Sequence, residues 1–255
     1  PIATTSVVVP DVSFVDDGVI LFSASKNESL VPVAKEVAET SAIVFLRHGL
    51  RPNWKKGKSE MLLALIGPGS SQAIFDLYAE GQPHIDIEYG DGEVAVVVCF
   101  AYKHLGTKTA ALGSFSPEIK YRVACTATTR KELARVWAAS GVDAEVRLGL
   151  ARSLLWSKLF YNACTWHPLS VAQLGQLHSE YMKVIRAIAK QQAWRIQDPL
   201  TDVQLLRKLK LPGVQAILAR VRLTFIVRLL ANECRFVFDL FQKGHYQKAI
   251  DYLQN

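Results

Sequence analysis

Long apolar runs are missing from this chain of 255 residues. The longest, Val94 to Tyr102, falls far short of the ~20 residues that a bilayer-spanning helix needs. A second apolar stretch, Ala216 to Leu230, is cut by Arg220, Arg222 and Arg228. No transmembrane segment is therefore expected. A paired-cysteine pattern is missing too. Cys99, Cys125, Cys164 and Cys234 lie 26, 39 and 70 residues apart and form no C-x-x-C. A disulfide scaffold is excluded on that spacing, and buried, reduced thiols of an intracellular protein are expected. Cys164 and His167 have a metal-compatible spacing, but no second pair lies nearby, so packing or a loop position is their expected role. The glycine spacing of a Walker loop, a dinucleotide fingerprint and a Ser-His-Asp elbow are absent. Residue 1 is Pro, and no basic stretch followed by an apolar one marks a signal peptide. Either a leader has been removed or the chain is a piece of a longer one. Charged residues make up only 21% and hydrophobic ones 50%, which excludes a disordered tail or a collagen-like fibre. The length accommodates one large domain or two ordinary ones.

The charge that is present is unevenly placed. Residues 1–110 carry a net −4 and residues 111–255 a net +11, for a total of +7. A strongly basic second part attracts phosphate backbones and anionic head groups. A solvated Lys/Arg-rich helical surface has the same composition.

The hydrophobic pattern changes in the same region. Val7–Val9 and Val19–Phe22 read as two strands joined by a tight turn with Asp16 and Asp17 at its tip. A helix is predicted from Glu28 to about Arg47, capped by Ser25 or Asn27, with Pro32 in its first turn and Gly49 as its stop. Met61–Ile66 reads as a short buried strand and Ser71–Ala79 as a short helix. His84–Tyr89 and Glu93–Tyr102 form a hairpin around Gly90-Asp91-Gly92. From residue 116 the pattern is helical. Helices are predicted over 116–140, 143–165 and 170–192, then from a capping box at Thr201 and Gln204, and from Pro212 onward. A last pair falls near Phe236 and Tyr246. Trp137, Trp156, Trp166 and Trp194 lie in these helices or at their ends, where core anchoring is the default role. The fold class is α+β, with units at 1–112 and 113–255.

Three segments have residue types suited to chemistry. Asp16 and Asp17 are adjacent carboxylates on a bend. Their repulsion is relieved when a divalent cation neutralises them, although an Asp-Asp pair in an exposed turn is commonly inert. Leu50 to Ser59 offers Arg51, Lys55, Lys56 and Lys58 on a loop that could meet a pyrophosphate by charge, or be an ordinary basic loop. Tyr102-Lys103-His104-Leu105-Gly106 closes a strand with a glycine that admits another backbone.

In this order and spacing, the three segments resemble the reverse transcriptases of non-LTR retrotransposons. Phe14-Val-Asp16-Asp17 is similar to the family's aromatic-x-Asp-Asp palm hairpin. Gly49-Leu-Arg-Pro-Asn53 through Lys58-Ser59 is similar to the next palm segment. Tyr102 to Gly106 is similar to the primer-grip hairpin. Leu159-Phe-Tyr-Asn-Ala-Cys-Thr-Trp166 and Leu218 to Arg228 resemble helices of and after the thumb. The resemblance spans residues 7 to about 230 and implies a partial polymerase palm followed by an all-helical, thumb-like domain. It implies Mg²⁺ at Asp16 and Asp17, Lys58 near the departing pyrophosphate, and Asn53, Lys103 and Gly106 as nucleotide- or primer-contacting positions. An RNA or RNA/DNA duplex would be held through residues 111–255. The family's third metal-binding aspartate and its fingers would precede residue 1, so these residues alone are expected not to polymerise. Val15, His104 and Asn162 depart from the residues the family prefers. The other reading is a non-catalytic, basic structural or RNA-binding subunit of a larger assembly.

Overall fold

The computed structural model describes residues 11–14, 17–79, 81–90, 92–166, 168–190 and 197–231. The fold is mixed α and β, and the chain divides into two compact units, Pro1–Ser114 and Phe115–Asn255. No helix among the described residues is long and apolar enough to cross a membrane.

The first unit begins with an antiparallel hairpin, β1 (Asp11–Phe14) and β2 (Asp17–Ile20), with Phe14 opposite Asp17. The first strand was expected at Val7–Val9, which lie outside the described residues. The described ladder reaches Phe14, three positions before Asp17, and Leu21 and Phe22 lie beyond it. Helix α1 (Asn27–Arg47) follows. Neither expected residue caps it: the position before it is Lys26, with no side-chain cap. The Asn27 amide donates outward, to the carbonyls of Ile66 (3.0 Å) and Pro68 (2.8 Å). The earlier start moves Pro32 into the second turn, where its missing N–H removes the bond to the Glu28 carbonyl. At the other end Gly49 N–H reaches the Leu46 carbonyl and Leu50 N–H the Phe45 carbonyl, both at 2.9 Å. This Schellman closure needs the φ of +74° that Gly49 supplies. Asn27→Ala is expected to lower stability by about 1 kcal/mol, and Ser25→Ala by less than about 0.5 kcal/mol, in urea unfolding. Equal losses would contradict the tethering role of Asn27.

A three-stranded sheet has the order β3-β5-β4, from β3 (Met61–Leu62), β4 (His84–Tyr89) and β5 (Gly92–Cys99). β3 runs parallel to β5, and β4 antiparallel to it. Ile85 and Ile87 alternate inward on β4 as Val96 and Val98 do on β5, the two-residue period of a half-buried sheet. Leu30, Ala34 and Ala38, one helical turn apart on α1, share that core with Met61, Leu63 and Leu65. The small Ala34 and Ala38 keep the helix surface flat there. Glu39 on α1 accepts the Glu88 N–H of β4 at 3.1 Å. α2 (Ser70–Tyr78) lies between β3 and β4 in sequence. The strand expected to continue from Glu93 to Tyr102 breaks at Phe100, and β6 (Ala101–His104) and β7 (Thr107–Ala110) form a separate hairpin.

The second unit has no strand among its described residues. Its main helices are α3 (Ser116–Glu132), α4 (Ala134–Ala138), α5 (Ala144–Leu150), α6 (Ser157–Leu159), α7 (Val171–Ile188), α8 (Asp202–Lys208) and α9 (Val214–Ala231). The single helix expected over 116–140 is thus two, and 143–165 is α5, a π-helical turn at Ala151–Trp156, α6 and a 3₁₀ turn at Ala163–Thr165. Capping boxes at Ser170/Gln173 and Thr201/Gln204 open α7 and α8. Ile119, Leu159, Trp166, Leu177, Tyr181 and Ile185 build the main core, and Trp137, Leu155, Val184 and Ile188 a second cluster. Trp137 and Trp166 are buried and Trp156 packs against both clusters; Trp194 lies outside the described residues. So do Phe236 and Tyr246. Cys99, Cys125 and Cys164 are free but only half-buried, not the fully buried thiols expected. Burial, with Glu60 beside it, pushes the Cys99 thiol up to about 12. Cys234 and His167 fall outside the described residues.

Candidate functional site

In the hairpin of β1 and β2, Phe14 pairs with Asp17, which begins the return strand. Asp16 and the side chain of Asp17 lie outside the described residues. As donors, two adjacent carboxylates suit a hard cation such as Mg²⁺, but they supply only part of an octahedral shell. No group of three or more metal-ligating side chains occurs among the described residues.

The lysine-bearing loop is built by its own polar groups. Asn53 Oδ1 accepts the Lys55 N–H at 3.2 Å, and the Asn53 carbonyl accepts the Ser59 N–H at 2.9 Å. Glu60 Oε1 accepts the Gly57 N–H at 2.6 Å. Asn53 therefore shapes the turn that carries Lys58. Lys56 donates to Gln82 at 3.0 Å. The Lys58 side chain is exposed, with no hydrogen bond or ion pair to a described residue.

The second hairpin meets this loop. The Tyr102 hydroxyl donates to the Lys58 carbonyl, tying β6 to the backbone that carries the lysine. Leu105 (φ +47°) and Gly106 (φ +79°) form the two-residue turn, the pair of left-handed conformations that a tight hairpin requires. Gly106 adopts its conformation without steric cost; Leu105 does not. Lys103 stands directly opposite Lys108. Like charges directly opposite each other on a ladder repel. Sequence reasoning singled out Lys103 and missed Lys108, because the register that pairs them depends on the turn.

Thus the structure brings Asn53, Lys58 and the Tyr102–Gly106 hairpin together through one loop and one hydroxyl. In the second unit, twelve exposed Lys and Arg residues face solvent against four exposed carboxylates among the described residues. Not every cation there is surface charge. Arg122 binds buried Glu118 at 2.5 Å, and buried Arg147 donates to the carbonyls of Ile188 (3.2 Å) and Ala139 (2.6 Å) at the ends of α7 and α4. Arg130 holds buried Glu180 at 2.8 Å. Burial pushes the Asp202 carboxyl up, but hydrogen bonds from Arg186 (2.5 Å) and His178 (3.0 Å) outweigh it and leave the group below its ordinary value.

No protein-family model, curated protein or solved structure matches the chain.

Proposed function

We propose that these residues are the palm-hairpin-onward and thumb part of an RNA-directed DNA polymerase of the non-LTR retrotransposon type. The observation that carries the reading is the linkage of the lysine loop to the Tyr102 hairpin, downstream in sequence of the β1–β2 hairpin and α1. In this reading Asp16 and Asp17 hold Mg²⁺, which supplies charge stabilisation to nucleotidyl transfer. Lys58 meets the leaving pyrophosphate, and Lys103 and Gly106 border the primer. The basic helical unit tracks an RNA/DNA duplex through its phosphates, by shape and charge rather than by base edges. An aligned two-metal site also needs a third aspartate, which in that family lies on an earlier palm strand.

Two measurements test this. The 255-residue chain is expected to bind a labelled RNA/DNA hybrid in low salt, and no detectable binding overturns the proposal. In a Mg²⁺-dependent primer-extension assay it is expected to yield no product. Extension lost in Asp16→Ala would refute the inactivity while keeping the polymerase reading. Exposed Ile66, Phe75, Phe100 and Leu112 favour a second reading, a non-catalytic subunit covered by other proteins of an assembly. Hybrid binding without extension is common to both readings; a native complex that buries these four side chains would favour the second.

A further inference from the structure

The second unit contains a groove of about 380 Å³, lined by Arg152, Lys210 and Arg220 and by Trp156, Phe160 and Tyr181. No carboxylate is among its lining residues, and none of the three cations has an ion-pair partner among the described residues. The half-buried Trp156 and Phe160 rings flank the fully buried Tyr181 ring, whose centroid lies 5.2 Å from that of Trp156 and 6.0 Å from that of Phe160. The Tyr181 hydroxyl is held by the Pro212 carbonyl at 2.9 Å, which fixes its ring. The Trp156 Nε1 is buried without a hydrogen-bond partner.

Two backbone features place these groups. Arg152 and Trp156 both belong to the π-helical turn, which interrupts the α-helical spacing and recurs at functional sites. Lys210 ends α8 with φ +52°, and its N–H and that of Leu211 close the helix on the carbonyls of Arg207 and Leu206. Glycine suits that position better than any L side chain. Lys190 ends α7 in a similar conformation, so the conformation alone means little; Lys210 differs in lining the groove.

We propose that this groove binds a nucleotide, with its base on the Trp156 and Phe160 rings and its phosphate among Arg152, Lys210 and Arg220. A bare anion leaves the two partly exposed rings unused, and an uncharged aromatic compound leaves three cations unmatched. The volume lies within the ~300–1,000 Å³ of small-molecule sites. The inference does not depend on the polymerase reading, since it rests only on the charge, rings and shape of this groove. The nucleotide is either free or one unit of a single strand, and the same chemistry serves both.

Calorimetric titration of the 255-residue chain with AMP, adenosine, inorganic phosphate and a short oligoribonucleotide tests it. AMP is expected to bind at least about tenfold more tightly than adenosine or phosphate. Lys210→Gly is expected to melt no lower than the wild type, because glycine relieves the left-handed backbone, yet to weaken AMP binding by roughly fivefold. Arg152→Gln and Arg220→Gln are expected to act in the same direction. An oligoribonucleotide that binds more tightly than AMP and is weakened by the same variants identifies the strand as the source; one that binds no more tightly identifies the free nucleotide. Phosphate binding as well as AMP, absence of AMP and oligoribonucleotide binding, or indifference to all three substitutions overturns the proposal.

Discussion

Affinity of the 255-residue chain for an RNA/DNA hybrid falls by about a hundredfold between about 50 and about 200 mM salt. The expectation comes from counterion release: neutralising about four phosphates gives a steep negative slope of log affinity on log salt. The second unit has the charge for this, with twelve exposed cations against four exposed carboxylates among its described residues. The buried cations do not contribute. Arg122 and Arg147 are committed inside the fold, so replacing exposed Lys120, Lys131 or Lys208 should flatten the slope, each by about one phosphate's share. Anisotropy titrations at several salt concentrations measure both quantities. A slope near zero, or a slope unchanged when all three lysines become glutamine, removes the basic unit from duplex binding.

Arg122→Met is expected to reduce unfolding free energy by about 3 kcal/mol or more. Glu118 is fully buried, and its carboxylate takes the Arg122 Nε at 2.5 Å one helical turn away. The guanidinium also lies 4.4 Å from the Tyr161 ring centroid and 5.1 Å from that of Tyr121. Removing the cation leaves a buried carboxylate without that compensation and takes stacking area from two rings. Replacing both partners is a different matter. Glu118→Met with Arg122→Met is expected to recover most of the loss, because two apolar groups of similar volume need no desolvated charge. Urea unfolding followed by circular dichroism measures both variants. A single variant within about 1 kcal/mol of the wild type would falsify the expectation. A double variant as unstable as the single one would mean that packing, not charge, dominates the site.

Local signals carried far along this chain. The capping box at Thr201 and Gln204 could be read because both halves of the reciprocal bond lie within four residues. The alternation of Ile85 and Ile87 was readable for the same reason. Reading failed where a residue had two uses. Asn27 looks like a cap from its type and position, but its amide is drawn away by carbonyls some forty residues later. The long helix expected over 143–165 is interrupted by the π-helical turn at 151–156, a change of hydrogen-bond pattern in a segment that itself has no proline or glycine. The break at Phe100 is similar: the apolar run continues through it, and only the ladder of Ala101–His104 with Thr107–Ala110 shows that a new hairpin has begun.

For the candidate sites the division is sharper. Asp16, Asp17, Asn53, Lys58, Lys103 and Gly106 were legible as residue types in short motifs. The bond from Tyr102 to the Lys58 carbonyl, across 44 positions, was not. Nor was the groove of Arg152, Lys210 and Arg220, whose members share no motif. By itself the sequence determined the α+β composition, the change from mixed to helical pattern, the excess positive charge after residue 110 and most helix ends. These depend on neighbours a few residues apart. Tertiary structure alone decided which cations are buried in ion pairs, which line a groove and which strand faces which. Those outcomes depend on desolvation and on contacts between distant residues, and no local pattern encodes either.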